Sequence, residues 1–257
     1  AFRLSTSFEK EFSNTRLLSL IPYARWNRMD LLPEWGIFSI GGNNLRGYES
    51  TTRFYSLGLL TKYRQDFDLL KSRIIIGADL DYSPGKYDES RIVVTRNTAT
   101  LKYTSFTYDT NTANNYDFNA NFTGISPYAH IELSPVKRLR LTLGVRYDDM
   151  SYDYTNNLSA SSIRPASTKR SFSHVSPKVG ATYSFTDSIS TFASYNNGFR
   201  APSSGDLFRT GGTATTAVDL KPIDVDSYDA GLRLKAGRIF KLDTSLYYMQ
   251  KRNDIVT

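Results

Sequence analysis

The stretch R-L-R-L-T-L-G-V-R-Y-D, residues 138–148, alternates without a break. Leu139, Leu141, Leu143, Val145 and Tyr147 share one parity, and Arg138, Arg140, Thr142, Gly144, Arg146 and Asp148 share the other. An extended chain points successive side chains to opposite faces, so this period of two predicts a β-strand with one apolar and one charged face.

The pattern recurs in both directions along the chain. Ile74, Ile76, Ala78, Leu80 and Tyr82 oppose Gly77, Asp79 and Asp81, with Ile75 out of phase. Val175, Pro177, Val179, Ala181, Tyr183 and Phe185 oppose Ser176, Lys178, Gly180, Thr182 and Ser184. Tyr228, Ala230, Leu232 and Leu234 oppose Asp229, Gly231 and Arg233, and Phe240, Leu242, Leu246 and Tyr248 oppose Lys241, Asp243 and Ser245. Tyr55, Leu57, Leu59 and Tyr63 share one face of an earlier strand. Helical periodicity is nearly absent. The reading is all-β, with roughly eleven strands, many of about ten residues.

Two kinds of connection are expected to alternate. Short polar turns fall at 134–137, 185–188 and 235–238, and long segments rich in Asn, Thr, Ser, Asp and Tyr fall at 83–115, 149–170 and 201–226. Outer-membrane barrels have this asymmetry, with short periplasmic turns and long outer loops. The apolar faces also end repeatedly on aromatics (Tyr147, Tyr183, Phe185, Tyr228, Phe240, Tyr248), where interfacial girdles sit. An Arg or Lys in mid-strand facing lipid costs about 2–4 kcal/mol near the midplane, so the charged face must meet water. A β-sandwich with a charged exterior accounts for the alternation equally well. It accounts less well for strand length, aromatic ends and loop asymmetry. An antiparallel transmembrane β-barrel is the preferred fold.

Composition narrows the function. The chain has 257 residues, a net charge of +7 and no cysteine, which excludes a disulfide framework and thiolate metal sites. Lys and Arg are scattered rather than clustered, which argues against a nucleic-acid partner. Mean hydropathy is −0.41, a value a membrane barrel shares with soluble proteins because only alternate residues meet lipid. No apolar run approaches the roughly 18 residues of a membrane helix. No signal peptide opens the chain, and its last residues read as strand, so the sequence is expected to be an excerpt of a longer protein, cut at both ends.

Three motifs in order carry a family resemblance. "SYNNGFRAPSSGDLF" (194–208) precedes "LKPIDVDSYDAGLRL" (220–234) and "LDTSLYYMQKRNDIVT" (242–257). Together they resemble the barrel of TonB-dependent outer-membrane receptors, siderophore receptors in particular. The matching positions are Gly198, Phe199, Arg200, Ala201 and Pro202; Leu220, Lys221, Pro222, Ser227, Tyr228 and Gly231; and Asn253, Asp254, Ile255 and Val256. Residues 144–148 and 176–185 add to the likeness, and 74–82 less specifically. Ile223 and Asp229 stand where that family usually has Glu. The resemblance implies that residues 1–257 are about half of a 22-stranded barrel, without its N-terminal plug, TonB box or closing C-terminal strands. It implies capture of a scarce ligand outside the cell (a ferric siderophore first among siderophores, haem, cobalamin and glycans) and import driven by the TonB energy-transducing complex acting on the plug. Outer-membrane lipid is the remaining partner, and no cofactor is expected.

The bland reading of 198–202 is that Pro202 stops ladder pairing, Gly198 permits an unusual turn, and the strand top bends into a loop. The sharper one puts Arg200, with Phe199, in the vestibule, holding a plug residue or an anionic ligand. Asp206, Phe208 and Arg209 follow on the same loop; an aromatic and a cation there suit a planar or anionic chelate, although a solvated loop is the simpler reading. Asp148, Asp149, Asp153, Asn156 and Asn157 open a long oxygen-rich loop without EF-hand spacing. His130 lies on the polar face and His174 near a strand start, neither in metal-ligand spacing. Ser173 and His174 are adjacent, so they point to opposite faces and do not pair as nucleophile and base. The chain is read as a receptor and not an enzyme. A passive porin-like channel or a secreted β-sandwich binding module are the alternatives.

Overall fold

The computed structural model describes residues 1–41, 44–112, 114–209, 217–237 and 239–253. Asp254, Ile255 and Val256 of the last motif, and Arg238 of the last short turn, lie outside the described residues. Thirteen strands form one antiparallel sheet. They are β1 (Phe2–Ser5), β2 (Phe8–Ser13), β3 (Arg16–Leu31), β4 (Phe38–Ser39), β5 (Leu45–Phe67), β6 (Ser72–Arg96), β7 (Tyr103–Tyr108), β8 (Tyr116–Val136), β9 (Leu139–Asn156), β10 (Thr168–Ser184), β11 (Ile189–Arg200), β12 (Ile223–Ala236) and β13 (Phe240–Arg252). The path of the sheet is β1-β3-β5-β6-β8-β9-β10-β11-β12-β13, with β2 also on β3, β4 on β5 and β7 on β6. Every long strand pairs with its predecessor as an up-and-down meander, and no second sheet faces it among the described residues.

The predicted parity holds across the wall. Val175 pairs with Tyr147 and Tyr183 with Leu139. Leu57 pairs with Tyr82 and Leu59 with Leu80. This apolar face is the exposed one: Val145 is 46% exposed, whereas Asp148 on the opposite face is 5% exposed. A soluble sandwich has the reverse arrangement. The inward face carries a polar network. Arg146 donates to Asp79 at 2.6 Å and to Asp148 at 2.8 Å, Ser126 donates to Asp148 at 2.7 Å, and Tyr23 and Ser83 both donate to Asp81. The outward apolar band runs between the levels of Tyr147, Tyr82 and Val175 at one end and Leu139, Ile74 and Tyr183 at the other. This is the roughly 9–11 residues that a tilted strand needs to cross a membrane.

The strands do not stop there. β5, β6 and β8 run for 23, 25 and 21 residues. Much of the segments expected as loops is therefore strand, namely 83–96, 103–108, 149–156, 168–170 and 223–226. Asp148, Asp149 and Asp153 accordingly sit in β9 and not in a loop. Beyond the membrane both faces meet water or protein, so the apolar/polar contrast disappears while ladder pairing continues. The short turns lie at the opposite end, including the 3₁₀ turn Leu69–Lys71 between β5 and β6.

Glycine matters where an aromatic crosses the sheet. A Cβ on Gly231 would lie 2.4 Å from the Thr244 carbonyl oxygen and 2.5 Å from the Phe192 ring, so only glycine admits that ring. Gly198 behaves otherwise. It is a regular β11 residue opposite Val225, with open space where a Cβ would go, and the strand continues to Arg200 opposite Ile223. No unusual turn occurs there. The strand ends two residues before Pro202, and β12 starts directly after Pro222.

Candidate functional site

The described start of the 201–222 connection, residues 201–209, turns inward. Its five-residue helix α1 (Ser204–Phe208) opens with a capping box: Ser203 Oγ accepts from the Asp206 N–H at 3.2 Å, and the Ser203 N–H donates to Asp206 Oδ2 at 2.9 Å. Asp206 thereby fixes the start of the helix. Leu207 and Phe208 are fully buried. They pack on the inward face of the wall above the membrane, against Tyr87, Tyr116, Phe118, Ala120, Tyr154 and Phe172. Phe208 stacks on Tyr154 with centroids 4.1 Å apart and rings 15° from parallel. Burying a side chain of this size contributes about 1.5–3 kcal/mol.

Arg209 completes the attachment. Its Nη2 donates to Glu34 at 2.7 Å and lies 3.8 Å from Glu89, while its guanidinium stands 4.2 Å over the Tyr87 ring and 5.3 Å over Trp35. Glu89, almost fully buried, also accepts from Asn115 at 2.8 Å, from Tyr87 at 2.8 Å and from the Trp35 indole at 3.4 Å. Ser50 donates to Glu34. Burial, with Glu89 beside it, pushes the Tyr87 hydroxyl pKa up, and burial pushes Tyr154 up to about 12. The Tyr154 hydroxyl has no hydrogen-bond partner among the described residues. The loop is thus docked by its aromatic and its cation, and is not a solvated tether.

The other predicted site residues separate. Phe199 is half-buried and stacks on His174, 4.9 Å away and 7° from parallel. His174 lies within β10, its Nε2 2.6 Å from Asn197 Oδ1. Arg200 is exposed at the end of β11, and its side chain makes no hydrogen bond or ion pair among the described residues. Lys221 is exposed, Leu220 packs against the aromatic cluster, and Tyr228 belongs to the outward face. The structure therefore groups Phe208 and Arg209, with Asp206 shaping their helix, and leaves the exposed Arg200 side chain apart from them at the end of β11.

Beneath α1 lies a cavity of about 580 Å³. Ser203 and Ser204 border it above, Asp79 and Arg146 below, and Phe118, Phe122 and Tyr152 at the side. Its lining carries Arg25, Arg53, Lys86 and Arg146 against Asp79 and Asp81, an excess of positive charge. Arg25 also donates to Ser56 at 3.0 Å and stands over Phe54. The sequence reading missed the aromatic inner face, although its signal was present: the Arg146–Asp148 parity continues through Met150, Tyr152 and Tyr154, and Phe118, Ala120 and Phe122 alternate likewise.

An up-and-down wall with an exposed apolar band, a charged inner face, short turns at one end and strands rising far past the membrane at the other defines a transmembrane β-barrel of the outer-membrane kind. The family model described as TonB dependent receptor-like, beta-barrel, matches residues 1–257, and the chain belongs to that family, in the bacterial outer membrane. The family acts in transport and not as enzymes. Among solved structures, the chain is similar to the ferric citrate transporter FecA (TM-score 0.67, 14% identity, covering 97% of this chain and 34% of that one). It is also similar to the copper transporter OprC (TM-score 0.66, 18% identity, 96% and 38%). At these identities the likeness shows the fold alone. A sequence relative, the heme/hemopexin utilization protein C of Haemophilus influenzae (strain 86-028NP), is 35% identical over 108 residues, which is 41% of this chain and 14% of that protein. The chain spans well under half of the length of each of these proteins.

Proposed function

We propose that this chain forms wall and outer loops of a receptor that captures a scarce extracellular ligand and imports it with energy from the TonB complex, relayed through a plug carried elsewhere in the protein. A ferric siderophore is the ligand class we assign. The observation that carries this reading is the inward-docked segment 201–209 over a cavity with more cations than carboxylates, which suits an anionic chelate. Arg200, exposed at the end of β11, is a second anion contact in this proposal, and Phe199 the aromatic beside it. Haem is the second reading, favoured by the partial likeness to the Haemophilus protein; haem is planar and carries two carboxylates, so the same cations and aromatics serve it.

Growth on ferric siderophores or haem as sole iron source tests both, in cells carrying or lacking the full-length receptor and carrying or lacking TonB. Receptor- and TonB-dependent growth on a siderophore supports the first reading, and on haem alone the second. Uptake that survives loss of TonB assigns a passive porin-like channel instead.

A further inference from the structure

The seam between β10 and β11 opens near its top. The two strands pair only from Ser184 opposite Ser190 to Lys178 opposite Asn196. Past that point β10 continues on β9 as far as Thr168 opposite Tyr154, and β11 continues on β12 as far as Arg200 opposite Ile223. Over residues 197–200, therefore, β11 has a ladder on its β12 side alone among the described residues. Side chains bridge the opening instead. His174 Nε2 lies 2.6 Å from Asn197 Oδ1, and the His174 ring stacks on Phe199 with centroids 4.9 Å apart and 7° from parallel.

The hydrogen bonds fix which atoms meet. Asn197 Nδ2 donates to Asp224 Oδ1 at 2.8 Å and to Asp226 Oδ1 at 2.9 Å. Carboxylates only accept, so the amide nitrogen faces them and the amide oxygen faces His174. His174 Nε2 consequently carries a proton and donates it, and a second proton goes to Nδ1. The resulting imidazolium lies over the Phe199 face within cation–π range, with Asp224 Oδ1 3.9 Å from its Nε2.

Carboxylates outnumber cations around this ring. Asp148 is its ladder partner on β9 and is bonded to Arg146, while Asp224 and Asp226 on β12 share Arg252 of β13. Its same-face neighbours on β10, Phe172 and Ser176, are uncharged, and Arg200 points to the face opposite Phe199. Asp226 and Asp224 lie two and four residues past Tyr228, toward the long loops. Hydrogen bonds from Asn197, Tyr195 and Arg252 hold Asp226 down at about 2, and Arg252 holds Asp224 below the ordinary carboxylate range. Both stay charged wherever histidine titrates.

We propose that His174 is the positioning residue of the strand top: it holds Phe199, and with it Arg200, against β10, and the hold tightens when His174 becomes an imidazolium. This rests on the reading of Phe199 and Arg200 as ligand contacts and adds acidity as a control over their placement. The charged form is the one that gains partners. The added hold is therefore complete at acid pH and is lost as pH rises through the histidine titration. Segment 201–209 is anchored separately by Phe208 and Arg209 and lies outside this clamp.

Hydrogen exchange in the full-length receptor without ligand tests this. Protection factors over residues 197–200 are expected to be several-fold higher at about pH 5.5 than at about pH 7.5, with 201–209 unchanged. His174→Gln still donates to Asn197 but takes up no proton, and its strand top is expected to be equally protected at both pH values. His174→Phe keeps a ring on Phe199 and is expected to be equally flat. Equal protection of the wild-type strand top at the two pH values overturns the proposal. So does a pH response that both variants retain, which assigns it to another group, or one that 201–209 and the rest of the wall share, which makes it global. Absence of receptor-dependent growth removes the transport reading and leaves this response in place, so the two failures are distinguishable.

Discussion

Arg209 and Glu34 meet at 2.7 Å although 175 residues separate them in the chain. The contact joins the β11–β12 loop to the β3–β5 loop across the inward face of the sheet. It requires the wall to curve and the loop to reach back over β10, β9 and β8. Its surroundings include a second carboxylate, Glu89, and two rings beneath the guanidinium.

Removing the cation leaves two buried carboxylates without their shared partner. Breaking a buried pair in this way costs about 3–5 kcal/mol in general. Arg209→Met is expected to release the loop from the wall. Hydrogen exchange over residues 201–209 measures this, with the rest of the sheet unchanged. Glu34→Gln is expected to do less, because Glu89 remains. A double-mutant cycle with Arg209→Met should show coupling between the two positions.

Phe208→Ala empties the space between Tyr154 and Phe118. Truncation of a buried Phe costs about 3–5 kcal/mol. The barrel is expected to survive, because its ladders lie elsewhere. The loop is expected to become a preferred site of limited proteolysis, and ligand affinity to fall with it.

Opposite faces of β9 should respond oppositely to a charge. Leu143→Arg puts a cation on the lipid side, at an expected cost of about 2–4 kcal/mol. Thr142→Arg puts the same cation on the inward side, near Glu132, its ladder partner. The fraction of receptor running as the folded, heat-modifiable band on a gel should fall for the first variant and stay near wild type for the second.

The buried tyrosines make the docked loop sensitive to alkali. Tyr154 is raised to about 12 and Tyr87 is raised as well, whereas an unfolded tyrosine ionises near 10. For an acid whose folded pKa lies above its unfolded one, stability is fully present below the unfolded value and is lost as pH rises through the folded one. Loop docking is therefore expected to hold to about pH 10 and weaken from there toward 12. Phenolate absorbance should show exposed tyrosines titrating first. Tyr154→Phe should remove one late-titrating group and extend docking to higher pH.

Residues 138–148 were legible because the strand crosses a boundary: one face meets lipid and the other water, and alternation writes that difference into the chain. The same rule explains what was illegible. Where β6 continues through 83–96 and β9 through 149–156, lipid is gone and the outer face turns polar, so strand looked like loop. The motif around Phe199 and Arg200 marked a strand top correctly, but the unusual backbone expected at Gly198 is absent. Ladder pairing with Val225 holds that residue in ordinary extended geometry.

By itself the sequence determined the all-β class, the two faces, the turn asymmetry and the family, because each is written in local order and spacing. Only the tertiary structure decided what Phe208 and Arg209 do. Their partners, Tyr154, Tyr87, Glu34 and Glu89, lie dozens to more than a hundred residues away, and it is the curvature of a paired sheet that brings them together.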